Sequence, residues 1–177
     1  MADLLRTLAL GVVAGGAATY AKTRAEGALQ PLAERVLPPS PAAERRSGAD
    51  PADHPDRMPP AELVDAALRR TVGQGAGEQE RTQGSQALHW GMGLGAGLLY
   101  TALSQRYPAA RAGLGAVFGL VLYGATHATT LPAAGLQAPL RDLPRAALVW
   151  EPGSHVVYGV VLESVLRLAG RDEHTEG

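Results

Sequence analysis

Five ionisable side chains stand inside otherwise apolar stretches of this chain: His89, His127, Glu151, His155 and Glu163. Such groups cost free energy among apolar neighbours unless they are paired, so each is a candidate for function. Imidazoles titrate near neutral pH, and chains of His and Glu relay protons inside membranes. Three imidazoles with a carboxylate also make a ligand set for zinc or non-haem iron, and a pair of histidines can ligate haem. Only Glu151 and His155 have a local ligand spacing, and Pro152 lies between them. On an ideal helix Glu151, His155, Tyr158 and Leu162 fall in one stripe. His89, Gly93, Ala96 and Tyr100 form a second stripe, and Ala116, Leu120, Tyr123 and His127 a third. The sharpest expectation is three helices that turn a His and a Tyr towards a shared interior.

The same residues have a plainer reading. Pro152 suits the first position of a helix, with Glu151 as an N-terminal carboxylate favoured by the helix dipole. Trp90 and Trp150 then become interfacial belt residues. Glu163 has Arg167 one turn on as an ion-pair partner. His127 precedes Pro132 and can bond backbone groups freed at that break. His54 and His174 stand in polar surroundings and are expected only to be solvated.

The elements that must position these groups follow from charge and apolar runs. A membrane helix needs about 20 mostly apolar residues. Thr7–Ala21 is uncharged and bounded by Arg6 and Lys22, whose long side chains can snorkel to the interface. Gln86–Gln105, Ala112 to about Pro132, and Ala146–Leu166 complete a set of four spans. Between Thr82 and Leu140 the only formal charges are Arg106 and Arg111, whereas Lys22–Arg81 carries most of the ionisable residues. A signal peptide competes for the first segment, with Arg6 as a thin basic region.

Glycine spacing supports helices that pack in lipid. Gly11 and Gly15, Gly91 with Gly95, Gly93 with Gly97, and Gly115 with Gly119 are all four apart. Small residues at that spacing let backbones approach, whereas in water each helical glycine costs about 1 kcal/mol relative to alanine. The run Gly93-Leu94-Gly95-Ala96-Gly97 lacks the spacing, preceding strand and following acid of a nucleotide-binding loop.

The long loop is expected to be partly helical. Leu29, Leu32, Ala33 and Val36 recur at helical spacing. Pro38–Pro60 reads as irregular, Pro59-Pro60 opens a short helix closed by Arg69 and Arg70 before Gly73, and Gln74–Gly84 reads as a flexible linker. Leu131–Pro139 is too apolar for an ordinary surface loop and fits a re-entrant or interfacial segment. The expected organisation is therefore a first transmembrane helix (1–21), a polar Pro-rich loop with short amphipathic helices (22–85), a three-helix membrane region (86–170) and a polar tail (171–177). The fold class is all-α, a membrane protein of four transmembrane helices. Arg6, Arg106, Arg111, Arg167 and Arg171 would share one side with both termini, and a cytoplasmic placement of that side is the expected orientation.

Composition excludes some chemistry. The chain has no cysteine, hence no disulfide, thiolate metal site or thiol nucleophile. The formal net charge of -1 gives no footing for nucleic acid. A single Lys among 16 basic residues, with abundant Ala and Gly, fits a GC-rich bacterial genome.

The pattern resembles the YagU family of small bacterial inner-membrane proteins. Ala14-Gly15, Lys22 and Glu26 fall where that family has Ala-Gly, a Lys and a Glu. Leu37-Pro38-Pro39-Ser40-Pro41 is similar to its PP-containing stretch but lacks an arginine. His89, Tyr100 and Pro108 match in the second span, and His127, Pro132, Gly135 and Leu136 match in the third. Glu151, His155 and Glu163 match in the fourth. The segment 40–85 matches poorly. The resemblance implies four membrane helices in the bacterial inner membrane, argues against a cleaved signal peptide, and names no substrate or cofactor.

The residues expected to form a functional cluster are thus His89, His127, Glu151, His155, Tyr100, Tyr158, Lys22, Glu26 and Glu163. The leading expectation is a structural or accessory component of a membrane complex rather than an enzyme. A proton-linked or ion-conducting protein and a metal- or haem-binding protein are the alternatives. The expected partners are the lipid bilayer and either a membrane protein or a second copy of the chain.

Overall fold

The computed structural model describes residues 1–171; the predicted tail, with His174, lies outside the described residues beyond Arg171. Those residues form helices and turns, without a strand among them. The helices are α1 (Ala2–Val36), α2 (Pro41–Glu44), α3 (Pro59–Thr71), α4 (Glu78–Arg106), α5 (Ala116–Ala125), α6 (Leu131–Ala133) and α7 (Ala147–Arg171), with a π-helical turn over Thr126–Thr130 between α5 and α6. Two stretches, Leu4–Val36 and Pro108–Ala133, are long and apolar enough to cross a membrane. The chain divides into two compact units. The first comprises Met1–Glu26, Trp90–Leu122 and the chain from Pro152 on, and the second comprises Gly27–His89 and Tyr123–Glu151.

In the first unit the helices meet backbone to backbone. A Cβ on Gly97 would lie 2.5 Å from the Gly15 Cα and 2.7 Å from the Gly11 carbonyl oxygen. A Cβ on Gly93 would overlap the Thr19 hydroxyl. These contacts bring α1 and α4 together through the expected pairs Gly11/Gly15 and Gly93/Gly97. Gly91 and Gly95 have nothing within 4 Å of that position, so the second expected pair on α4 does not pack. On α5 a Cβ at Gly119 would lie 2.0 Å from the His155 carbonyl oxygen, and one at Gly115 would lie 2.2 Å from that of Gly159. Tyr100, Phe118, Tyr158 and Leu162 fill the core beside these seams with Ala14 and Ala18.

The entry to α5 is strained. Ala112 is extended, and Gly113, Leu114 and Gly115 all have positive φ. Leu114, at φ 57°, is the one described non-glycine residue in that region, which costs about 1 kcal/mol. The reversal delivers Gly115 onto Gly159. It also shortens the regular part of the third predicted span to 116–133, about 27 Å of helix.

The second unit holds the loop residues and departs most from expectation. The first helix does not stop at Ala21 but runs to Val36, through Pro31. Leu29, Ala33 and Leu37 pack against a core of Ala49, Leu143, Ala146, Ala147 and Trp150. The short amphipathic helix expected here is thus the end of α1. Inside 38–60, Gln30 donates to Asp50 Oδ1 at 2.7 Å, and the same oxygen accepts from the backbone amides of Ala52 and Asp53 at 3.1 Å. One buried carboxylate thereby ties an otherwise irregular loop to α1.

The helix α3 forms as expected, with prolines at its start and Gly73 at φ 77° beyond its end. The linker expected at 74–84 is instead fastened. Asp65 accepts from the Ala76 amide at 2.9 Å, from Arg81 at 2.9 Å and from Arg69 at 2.7 Å. Glu80 reaches back to the Gly77 amide at 2.8 Å, one half of a capping box, so α4 starts at Glu78 rather than Gln86. Arg69 and Arg81 hold the Asp65 carboxyl below its ordinary value of 3.8, with the Arg69 hydrogen bond the largest cause.

The fourth helix also starts early. The Pro144 carbonyl accepts from the Ala147 and Leu148 amides, so Pro152 lies inside α7 and not at its first position. Its missing N–H leaves the Leu148 carbonyl without the usual helical donor. Trp150 is buried in the second unit's core and is not a belt residue, whereas Trp90 is exposed.

Candidate functional site

The π turn places His127. Pro132 has no N–H, so the Ala128 carbonyl cannot receive its α-helical bond. The ladder widens instead, and the Leu131 amide donates to the Thr126 carbonyl, five residues back. Thr129 and Thr130 return hydroxyl bonds of 2.6 Å to the Ala125 carbonyl, which stabilises the widened turn. Single π turns inside α-helices concentrate at functional sites.

His127 Nδ1 lies 2.8 Å from Glu151 Oε1 and 2.7 Å from Gln137 Oε1. Tyr123, one turn back, stacks on the imidazole with centroids 5.6 Å apart and planes 15° from parallel. Glu151 is 2 % exposed, and the His127 side chain 14 %. A carboxylate this deep needs a partner, and the imidazole supplies one. Gln137 Nε2 donates to the His127 carbonyl at 3.2 Å, which fixes its amide with the oxygen towards the ring.

The first unit has a separate buried acid. Glu163 is fully buried; Tyr100 donates to its Oε2 at 2.7 Å and Arg167 to its Oε1 at 2.6 Å. The expected Glu163–Arg167 pair is therefore present. Arg111 approaches Oε1 at 3.7 Å and donates to the Ser104 carbonyl at 3.3 Å. This is a charge-compensated cluster, and it joins α4, α7 and the strained turn. Lys22 and Glu26 pair along α1, and Ser154 donates to Glu26 at 3.4 Å. Tyr158 donates to the Gly93 carbonyl at 2.5 Å.

The predicted residues are thus distributed over several sites. The α7 stripe of Glu151, His155, Tyr158 and Leu162 is buried throughout, as expected. Glu151 belongs to the second unit with His127, and His155 to the first. His89 is partly exposed on α4. The stripe Ala116, Leu120, Tyr123 is not the packing face of α5. Leu120 is exposed, and the buried face runs along Gly115, Phe118 and Gly119. The three stripe tyrosines meet different groups: Glu163 for Tyr100, Gly93 for Tyr158 and His127 for Tyr123. Among the described residues no group of three or more His, Asp or Glu side chains is placed to hold a metal ion.

Gln137, Arg111, Ser154 and Gly159 complete these sites, although none of the four was among the residues expected to form the cluster. Gly159 carried a readable signal, lying four residues after His155 on a helix that faces another glycine pair. Gln137 carried none beyond being the one polar side chain in Leu131–Pro139.

Residues 28–164 match the family described as "Protein of unknown function (DUF1440)". The chain belongs to that family. The DUF1440 match runs through the loop 40–85 and includes His89, Tyr100, His127, Glu151, His155, Tyr158 and Glu163, while Lys22 and Glu26 precede it. No curated protein and no solved structure matches the chain.

Proposed function

We propose that this DUF1440 protein is a YagU-like, multi-pass protein of the bacterial inner membrane that serves as a structural or accessory component of a membrane complex. Its four crossings would be α1, α4, the α5–α6 run and α7. The observation that carries the reading is the inverted polarity of the first unit. Thr19, Thr101, Ser104, Ser154 and Glu163 are buried, whereas Leu5, Val13, Leu99 and Val121 are exposed. In water that arrangement forfeits apolar burial, and in lipid it hides these five polar groups behind aliphatic side chains. The pairing of Glu163 with Tyr100 and Arg167 supports a structural role for the embedded charge.

The cysteine-free chain permits a direct test with single cysteines and a membrane-impermeant maleimide. Val13→Cys and Val121→Cys are expected to stay unlabelled in intact vesicles, and Gly73→Cys to label on one side only. Equal labelling of all three overturns the membrane reading. Purification in mild detergent is expected to recover a stoichiometric partner, and a lone monomer would count against the accessory role.

One observation favours a second reading, a proton-linked protein. The buried His127–Glu151 pair sets an imidazole nitrogen 2.8 Å from a carboxylate oxygen, the kind of contact along which His and Glu chains pass protons in membranes. Proteoliposomes loaded with a pH-sensitive dye test it. Proton flux that His127→Ala abolishes supports the reading, and flux equal to empty liposomes removes it.

A further inference from the structure

We propose that Gln137 is a positioning residue, seated on Gly48, that holds the His127 imidazole as its Nδ1–H tautomer. The Nδ1 atom faces two oxygens, Gln137 Oε1 at 2.7 Å and Glu151 Oε1 at 2.8 Å. Both are acceptors, so the ring proton sits on Nδ1, and Nε2 becomes the basic atom of the neutral ring. Gln137 grips the residue at two points, because its Nε2 donates to the His127 carbonyl. That second bond also opposes a flip of the amide, which would set oxygen against oxygen.

The seat of this amide lies in the Pro-rich loop. Gly48, at φ 82°, leaves the volume that the Gln137 stem occupies; a Cβ there would lie 2.6 Å from Gln137 Cγ and 2.9 Å from Cδ. Beside it the Ala138 amide donates to the Ser47 carbonyl at 2.9 Å. The loop and the segment after the π turn are therefore joined at 47–48 and 137–138, and the joint ends on the imidazole. Gln137 is 3 % exposed, so no solvent competes for its amide.

The inference rests on the His127–Glu151 pairing used in the second reading, but not on proton transport. The test is 15N spectroscopy of histidine-labelled protein in micelles, with His127→Asn assigning the resonance, at a pH that holds the ring neutral. In the natural chain the Nδ1–H form is expected, and a resting Nε2–H form overturns the proposal. Gln137→Leu is expected to raise the Nε2–H fraction about fivefold, the scale of one net hydrogen bond. An unchanged ratio in the folded variant overturns it too. Gly48→Ala covers the case in which Gln137→Leu does not fold. It is expected to move the same resonance, whereas Gly73→Ala, also at positive φ but with nothing within 4 Å, leaves it in place. Equal effects of the two alanines would assign the change to backbone strain and refute the seat. Absence of proton flux together with the Nδ1–H form removes only the transport reading.

Discussion

In the unit formed by 1–26, 90–122 and 152 onward, helices touch through glycine backbones, whereas the unit formed by 27–89 and 123–151 is joined by side-chain amides and carboxylates. Backbone contact tolerates no added atom, because neither partner has a rotamer to change. A side-chain clamp tolerates volume but not the loss of a donor or acceptor. The two units should therefore fail under different substitutions. Each contains one tryptophan, Trp90 in the first and Trp150 in the second. Variants with Trp150→Phe or Trp90→Phe can report the units separately by fluorescence during denaturation in micelles.

The largest effect is expected from Gly159→Leu. A Cβ there meets the Gly115 carbonyl oxygen at 2.1 Å, so the cost should exceed about 3 kcal/mol, the upper end of overpacking. Loss of the Trp90 transition is the readout. Gly95→Leu, with nothing within 4 Å, should melt like the natural chain; equal damage from both would break the distinction.

Glu163→Ala should follow, at about 2–3 kcal/mol, because it strands the buried Tyr100 hydroxyl, while Arg167 is exposed enough to be solvated. Tyr100→Phe deletes one hydrogen bond to a charged group and should cost about 2 kcal/mol. Thermal midpoints of the two single variants and the double variant give the coupling, and additivity would show that the pair does not act as a unit.

In the second unit Asp50→Ala should cost about 1–3 kcal/mol by orphaning two loop amides and leaving Gln30 with only its bond to Glu34. Asp50→Asn keeps an acceptor oxygen and should recover most of it. The Trp150 transition reads both variants, and identical losses would mean that the charge, not the acceptor, holds the loop.

The smallest effect should come from acid acting on Asp65. Its folded pKa lies below the ordinary 3.8, so the fastening is intact above that value and is lost as pH falls from about 3.8 through the folded pKa. Cleavage within 73–77 by an acid-active protease should rise over that window, and Asp65→Asn should raise cleavage of the same segment by a protease active at neutral pH. A flat cleavage rate would leave the Ala76 and Arg81 contacts without consequence.

How much of this was legible in the sequence depends on whether a contact is local. The Glu163–Arg167 pair and the capped helix at Pro59 arise within a turn or two of chain, and residue types at fixed spacing displayed them. The glycine seams were legible as pairs, but not which pairs, since Gly91/Gly95 and Gly93/Gly97 differ only in rotation. The end of α1 was misplaced because Lys22 looks like a membrane boundary, yet the helix continues on the packing of Leu29 and Ala33. The π turn was hidden because its cause, Pro132, equally predicts a plain break. Asp65 and Gln137 work through partners 11 and 10 residues away across a turn, where no periodicity connects them.

The Gly97–Gly15 contact has a consequence for how this protein can change over generations. With the two backbones in contact, a side chain at either position displaces the other helix, and no single compensating replacement at the opposite glycine makes room, since glycine is already the smallest choice. Drift at the seam is therefore confined to glycine, while the flanking aliphatic positions Val12, Val13 and Leu99, which face outward, remain free to exchange among themselves.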